Sequence, residues 1–272
     1  MSVSEKAEAF RQQHHQKTLL LLPNVWDILT ARLMVSAGFP SLATASFSVA
    51  ATNGYQDGEK IPFDKLIGVV ARIAGGVDVP LSVDFERGYA SDLPSLSDNV
   101  KRLVAAGAVG VNIEDRTPDG KGLIAADAHC KKIETIREAG IKSGVHVVIN
   151  ARTDAYLLKL NADYIAETIG RGKAYQKAGA DCFYPVAMDN YPDIERVVGE
   201  VSLPMNVLLA KPVSDLRKLE QLGVGRVSLG PATLRYALTK LKTMVTALHN
   251  YDTRELFAQD LLASPDVMSL VK

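Results

Sequence analysis

The stretch Pro80–Ala90, "PLSVDFERGYA", begins as a buried strand and ends as something else. Leu81 and Val83 suit a strand that faces a core. Asp84 and Glu86 follow, with one Phe between them, and Gly88 breaks the run. Barrels of parallel strands carry their working groups at the C-terminal strand ends, so a strand closing on two carboxylates fits one.

Seven further apolar runs lie at 18–25, 41–46, 110–115, 146–152, 181–187, 204–209 and 226–231; the quoted strand covers 80–86. Helix-like stretches separate them, such as "PFDKLIGVVARIAGG" (62–76) and "AETIGRGKAYQKAG" (166–179). No two strands stand at hairpin spacing, so the units are parallel βαβ. Eight of them predict an α/β fold of the (β/α)₈ TIM type. An open doubly wound sheet is the competitor, but no Gly-rich nucleotide loop follows the first strand. "SAGFPSLATAS", "AAGAVGVNIED", "KAGADCFYPVA" and "QLGVGRVSLGP" each place a Gly at a helix end before an even-numbered strand, where a left-handed cap is expected. No linker or low-complexity segment appears, so residues 1–272 read as one domain.

The 272 residues suit a barrel, which runs to about 250. Lys plus Arg and Asp plus Glu both number 31, which argues against nucleic-acid or membrane-surface binding by bulk charge. The polar N-terminus has no apolar signal region, and "TLLLLPNVW" (18–26) is too short to span a bilayer. A cytoplasmic protein with Cys130 and Cys182 reduced is expected. Cys182 reads as inert core. The adjacent His14 and His15 read as surface residues. Lys211 reads as a solvated loop lysine rather than a Schiff-base group.

The strand tips gather Ser46, Asp84, Glu86, Glu114, Asn150, Arg152, Asp154 and Asn206. Residues two apart on a strand share a face, so Asp84 and Glu86 are expected to point together. Three carboxylates in one place repel unless a cation sits among them, and hard oxygen ligands select Mg²⁺ or Mn²⁺. Arg152 offers a fork of donors for an anionic substrate. The competing reading has the acids cap helices or pair with Arg87 and Arg116.

"LLPNVWDILTARL" (21–33), "TASFSVAATNGYQDGE" (44–59), "SVDFERGYA" (82–90), "GVNIEDR" (110–116), "INARTDAY" (149–156), "LPMNVLL" (203–209) and "RVSLGPATLRYA" (226–237) resemble, in order and spacing, the isocitrate lyase / phosphoenolpyruvate mutase superfamily. The resemblance covers nearly the whole chain. It implies a (β/α)₈ barrel that binds Mg²⁺ and a small 2-oxo carboxylate or enolpyruvyl substrate. It implies Asp84 as metal ligand, Glu86 in the second acidic place and Glu114 as an outer ligand. It assigns Ser46 and Phe47 to the substrate carboxylate, Asp57 to the reacting atoms and Arg152 to the substrate's far end; Asn206 joins the substrate-binding set. Two departures stand out. Glu86 replaces the commoner Asp. The lyase motif K-[KR]-C-G-H is absent from "EDRTPDGKGLIAADAHC" (114–130), which speaks against isocitrate or methylisocitrate cleavage by the route that uses its Cys.

The expected function is a Mg²⁺-dependent lyase of the oxaloacetate decarboxylase kind. Phosphonopyruvate-type C–P chemistry and non-catalytic binding of a 2-oxo acid are the alternatives. After the eighth strand, "TRELFAQDLLASP" (253–265) carries Leu256, Phe257, Leu261 and Leu262 at helical spacing. A surplus helix from about 252 is expected, exchanged with a neighbouring protomer in a homodimer or homotetramer.

Overall fold

A computed structural model describes residues 1–258 and 260–271. Eight parallel strands form the barrel: β1 (Leu20–Leu22, resuming as Asn24–Val25), β2 (Leu42–Thr44), β3 (Leu81–Asp84), β4 (Gly110–Glu114), β5 (Val148–Thr153), β6 (Cys182–Pro185), β7 (Asn206–Leu208) and β8 (Arg226–Ser228). Seven fall inside the runs read from sequence, and β5 extends one residue, Thr153, beyond its run. Pro23 divides β1. It has no N–H to donate, and its carbonyl instead accepts from Ala43 N–H at 3.0 Å. Before Pro23 the strand pairs with β8, and after it with β2. β6 meets β7 through the bridge Phe183–Met205, and β7 pairs with β8, so the ring closes.

The alternation along the strands settles which face is which. Leu81, Val83, Val111, Ile113, Ile149 and Ala151 are buried against the surrounding helices. Each such side chain contributes ~1.5–3 kcal/mol by leaving water. The alternate residues Ser82, Asp84, Asn112, Asn150 and Arg152 line a cavity inside the barrel. The apolar parity of each strand therefore points outward, and the polar parity faces the axis.

The helices predicted at 62–76 and 166–179 form as Phe63–Gly76 and Tyr164–Lys177. The four glycines before the even strands, Gly38, Gly107, Gly179 and Gly223, have φ of +92°, +96°, +96° and +84°. These are the left-handed caps expected at the helix ends before the even strands. The N-terminal helix Val3–Gln13, closed by a Ser2/Glu5 capping box, buries Ala7 and Phe10. Gly110 lets Phe10 approach, since a Cβ there would stand 2.9 Å from the Phe10 ring. His14 is buried, not on the surface as its sequence suggested. Its Nδ1 lies 2.8 Å from the Phe10 carbonyl and its Nε2 3.5 Å from Arg226. Cys182 is fully buried and burial pushes its thiol up to about 12, as inert core requires.

The C-terminal expectation needs correction. The stretch 253–262 is not a helix among the described residues; 254–257 form a turn, 260–263 belong to no regular element, and a short helix spans Ser264–Ser269. Asp252 Oδ1 accepts from Arg254 N–H at 3.0 Å, a local turn that competes with helix. Pro265 stands in the first turn of the later helix and fixes where it starts. The helical spacing of Leu256, Phe257, Leu261 and Leu262 is thus not realised in one element. Among the described residues no helix is long and apolar enough to cross a membrane.

Candidate active site

A cavity of about 240 Å³ opens at the C-terminal end of the barrel. Ser46, Phe47, Asp57, Asp84, Arg152 and Asn206 all line it. A second, more polar cleft adjoins it, sharing Ser46, Asp57 and Arg152 and adding Glu86 and Glu114. Every residue assigned to metal, substrate or reacting atoms thus borders one of two connected hollows, while Asp154, also read at a strand tip, lines neither.

Asp84 sits at the tip of β3. Its Oδ2 accepts from Ser46 N–H at 2.9 Å and its Oδ1 from Asn112 Nδ2 at 3.0 Å. Asn112 Oδ1 in turn accepts from Asn150 Nδ2 at 3.0 Å. The parallel register aligns Asp84, Asn112 and Asn150 across three strands, so the chain of bonds follows from strand pairing. Asn112 was missed in the sequence, although its place two residues before Glu114 was a usable signal. Asn206 is buried and gives Nδ2 to Ser228 Oγ at 3.1 Å, while its Oδ1 has no protein partner.

Glu86 does not point with Asp84 as strand parity suggested. The strand ends at Asp84, and Glu86 has φ +48°. Its carboxylate turns to the adjoining cleft, accepting from Glu59 N–H at 2.8 Å and Tyr89 Oη–H at 2.8 Å. Glu59, not singled out from sequence, accepts from Arg87 N–H, Tyr89 N–H and Arg87 Nη2 at 3.1, 2.8 and 2.8 Å. These bonds dock the loop that carries Asp57 onto the loop after β3.

Arg152 is held by carboxylates. Its Nε and Nη2 grip Asp154 at 2.7 and 3.0 Å, and its Nη1 lies 2.9 Å from Glu114. Arg87 stands 3.7 Å from Glu114, so part of the competing ion-pair reading is realised as well. Burial pushes Glu114 up to about 7 in spite of Arg152. Burial, then Asp84, pushes Glu86 up to about 8, and the same two causes raise Asp57.

Among the described residues no three His, Cys, Asp or Glu side chains form a ready-made metal cage. Mg²⁺ does not need one, because it retains several waters and takes one or two carboxylates. The donors here are all hard oxygens, and burial, with Asp84 nearby, raises the affinity of Glu86 and Glu114 for protons. Asp84, Glu86 and Glu114 therefore fit a divalent cation by charge and donor type.

A family model for phosphoenolpyruvate phosphomutase matches residues 10–249. The chain belongs to this family. With it comes membership of the isocitrate lyase / phosphoenolpyruvate mutase superfamily, and the protein is an enzyme of that lyase and mutase group. An uncharacterized protein of Mycobacterium tuberculosis is 34% identical over 224 residues, covering 82% of this chain and 81% of that one. Oxaloacetate decarboxylase 1 of Pseudomonas putida is 29% identical over 236 residues, covering 82% and 78%. The crystal structure of a phosphonopyruvate hydrolase complex with oxalate and Mg²⁺ superposes with a TM-score of 0.86, at 23% identity and 100% and 95% coverage; it shares the fold.

Proposed function

We propose that the protein is a Mg²⁺-dependent lyase that breaks the bond at C3 of a small 2-oxo dicarboxylate such as oxaloacetate. The observation that carries this reading is the meeting of Ser46, Asp57, Asp84 and Arg152 on one cavity at the strand tips. The similarity to oxaloacetate decarboxylase 1 supports the substrate class. Magnesium is supported by the oxygen donor set here and by the Mg²⁺ complex of the fold relative.

Asp84, with Glu86 and Glu114, would hold Mg²⁺, which would supply positive charge to offset the developing enolate. The remaining work falls to the chain. Ser46 and Asn112 fix Asp84 in one orientation. Phe47 walls the entrance. Asp57 stands in the loop over the cavity, within the field of Asp84. Arg152 supplies the cation for the substrate's far end, held in register by Asp154. Among the described residues no lysine lines the cavity, so these walls offer no amine for Schiff-base chemistry.

Purified protein with Mg²⁺ is incubated with oxaloacetate and, separately, with phosphonopyruvate, and pyruvate release is followed. Release from oxaloacetate is expected. Release from phosphonopyruvate alone would move the assignment to C–P cleavage. Saturable binding of 2-oxo acids with no turnover of either would make the protein a binder and overturn the lyase reading.

A further inference from the structure

Cleavage at C3 leaves an electron pair on a pyruvate enolate, and that carbon must gain a proton before pyruvate forms. The cavity walls restrict the source. Among the described residues, no histidine, lysine or cysteine lines the cavity. Asp84 is committed as an acceptor to Ser46 and Asn112. Serine and threonine hydroxyls are poor acids. Two wall groups can still carry a proton, Asp57 in its loop and the phenol of Tyr184 on β6, and of these only the phenol stands on the barrel wall in register with Arg152.

Tyr184 pairs in register with Arg152 on β5, so the two side chains emerge side by side on the inner face. The ring is buried, which fixes the position of the hydroxyl. Arg152, Arg226 and Ser228 line the same cavity, and the two cations favour the ionised form of the phenol against its burial. Arg226 is the unusual partner. It is buried at the start of β8, and none of the described carboxylates forms a salt bridge with it. Its Nε is buried without any protein partner. A buried cation with no anion is costly, and an anion formed transiently beside it is favoured. Burial pushes the phenol up to about 12, so it keeps its proton at neutral pH.

We propose that Tyr184 donates the proton to C3 of the enolate, with Arg226 as a positioning residue that favours the resulting phenolate. The Tyr184 O–H bond breaks, a C3–H bond forms, and the O–H electron pair stays on the phenolate oxygen between Arg152 and Arg226. Water entering as pyruvate leaves returns the proton. This rests on the enolate reading given above, and it applies equally to C–C and C–P cleavage, since both end at pyruvate.

The reverse step gives the test. Wild-type protein with Mg²⁺ is placed in D₂O with pyruvate, and loss of the methyl proton signal is followed by NMR. Wild-type protein is expected to catalyse exchange. Tyr184→Phe keeps the ring and should slow exchange by about 10²-fold or more, the usual scale for a lost acid–base group, with pyruvate affinity unchanged. Arg226→Gln should also slow exchange, and Arg226→Lys should recover it. The melting temperature of each variant is read alongside, and the Arg226 pair decides the matter if Tyr184→Phe does not fold. Exchange undiminished in folded Tyr184→Phe, or equal rates in the two Arg226 variants, overturns the assignment while leaving the enolate reading in place. Wild-type protein that exchanges no pyruvate overturns both.

Discussion

At the scale of the residue, the site is a problem of crowded negative charge. Asp57, Asp84, Glu86 and Glu114 border two joined hollows, and three of the four have their proton affinity raised by burial. Direct ligation at a strand tip matters more than ligation through water, so Asp84→Ala should abolish Mg²⁺ binding. Glu114→Ala should weaken it, and Glu86→Ala should have an intermediate effect. Calorimetric titration checks the order, and an Asp84→Ala protein that binds Mg²⁺ like wild type places the metal elsewhere. The same charges set a pH dependence. Glu86 and Glu114 move from the ordinary value of 4.5 up to about 8 and about 7 on folding. Between those limits the folded chain holds protons that the unfolded chain has released, so stability falls as pH rises. Metal-stripped protein should therefore melt lower at pH 8 than at pH 5, and Mg²⁺ should oppose the fall. A loss of 1 kcal/mol corresponds to roughly 2–4 °C in a domain of this size class. A melting temperature that is flat across this window without metal contradicts the account.

At the scale of the element, the tip of β4 ties three segments together. Asp115 is fully buried just beyond the strand. It accepts from Asp154 N–H at 3.0 Å, Arg171 Nη1 at 3.1 Å and Tyr175 Oη–H at 2.6 Å. Asp154 in turn grips Arg152, so the position of the site arginine depends on a carboxylate outside the cavity. Asp115→Ala takes from the buried Arg171 its one buried carboxylate among the described residues, leaving it the half-exposed Glu167. Removing one partner of a buried pair costs about 3–5 kcal/mol. Urea denaturation should show a loss of that order, and a loss below about 1 kcal/mol, the scale of an exposed ion pair, would show that Asp115 is not the anchor described. The loop bearing Asp57 has its own anchor in Glu59, which joins it to the backbone after β3.

At the scale of the whole molecule, the last barrel helix is incompletely covered. Ala232–His249 buries only Leu234. Tyr236, Leu238, Leu241, Val245 and Leu248 are exposed along it, and Phe257, Leu261 and Leu262 are exposed beyond. Contiguous apolar surface of this kind marks an interaction face. The C-terminal segment touches its own barrel where Arg32 Nη1 donates to the Leu270 carbonyl at 2.9 Å. We propose a homo-oligomer in which a neighbouring copy covers this face. Light scattering should give a dimer or tetramer for the intact chain and a smaller species after deletion beyond Tyr251. A monomeric intact protein, or a truncation that keeps the full assembly, overturns the idea.

The sequence by itself determined the barrel, because its signals are local. Strand composition, the left-handed glycine caps at Gly38, Gly107, Gly179 and Gly223, and the eightfold alternation act within a few residues of chain. It also named the strand-tip acids, since order along the chain says which end of a strand they occupy. Only the tertiary structure decided what those groups face. The direction of Glu86 depends on a strand ending at Asp84 and a backbone turned to φ +48°. The burial of His14 depends on the N-terminal helix meeting Arg226 across 212 positions of sequence. Tyr184 lies in the run 181–187 with no mark of its own in the sequence, and its register with Arg152 puts it on the cavity wall. The C-terminal stripe had helical spacing, but a spacing becomes a helix only when turn chemistry permits and a partner surface buries the face. Local preference is written in neighbouring residues; contact between distant ones is settled by how the closed ring of strands brings them together.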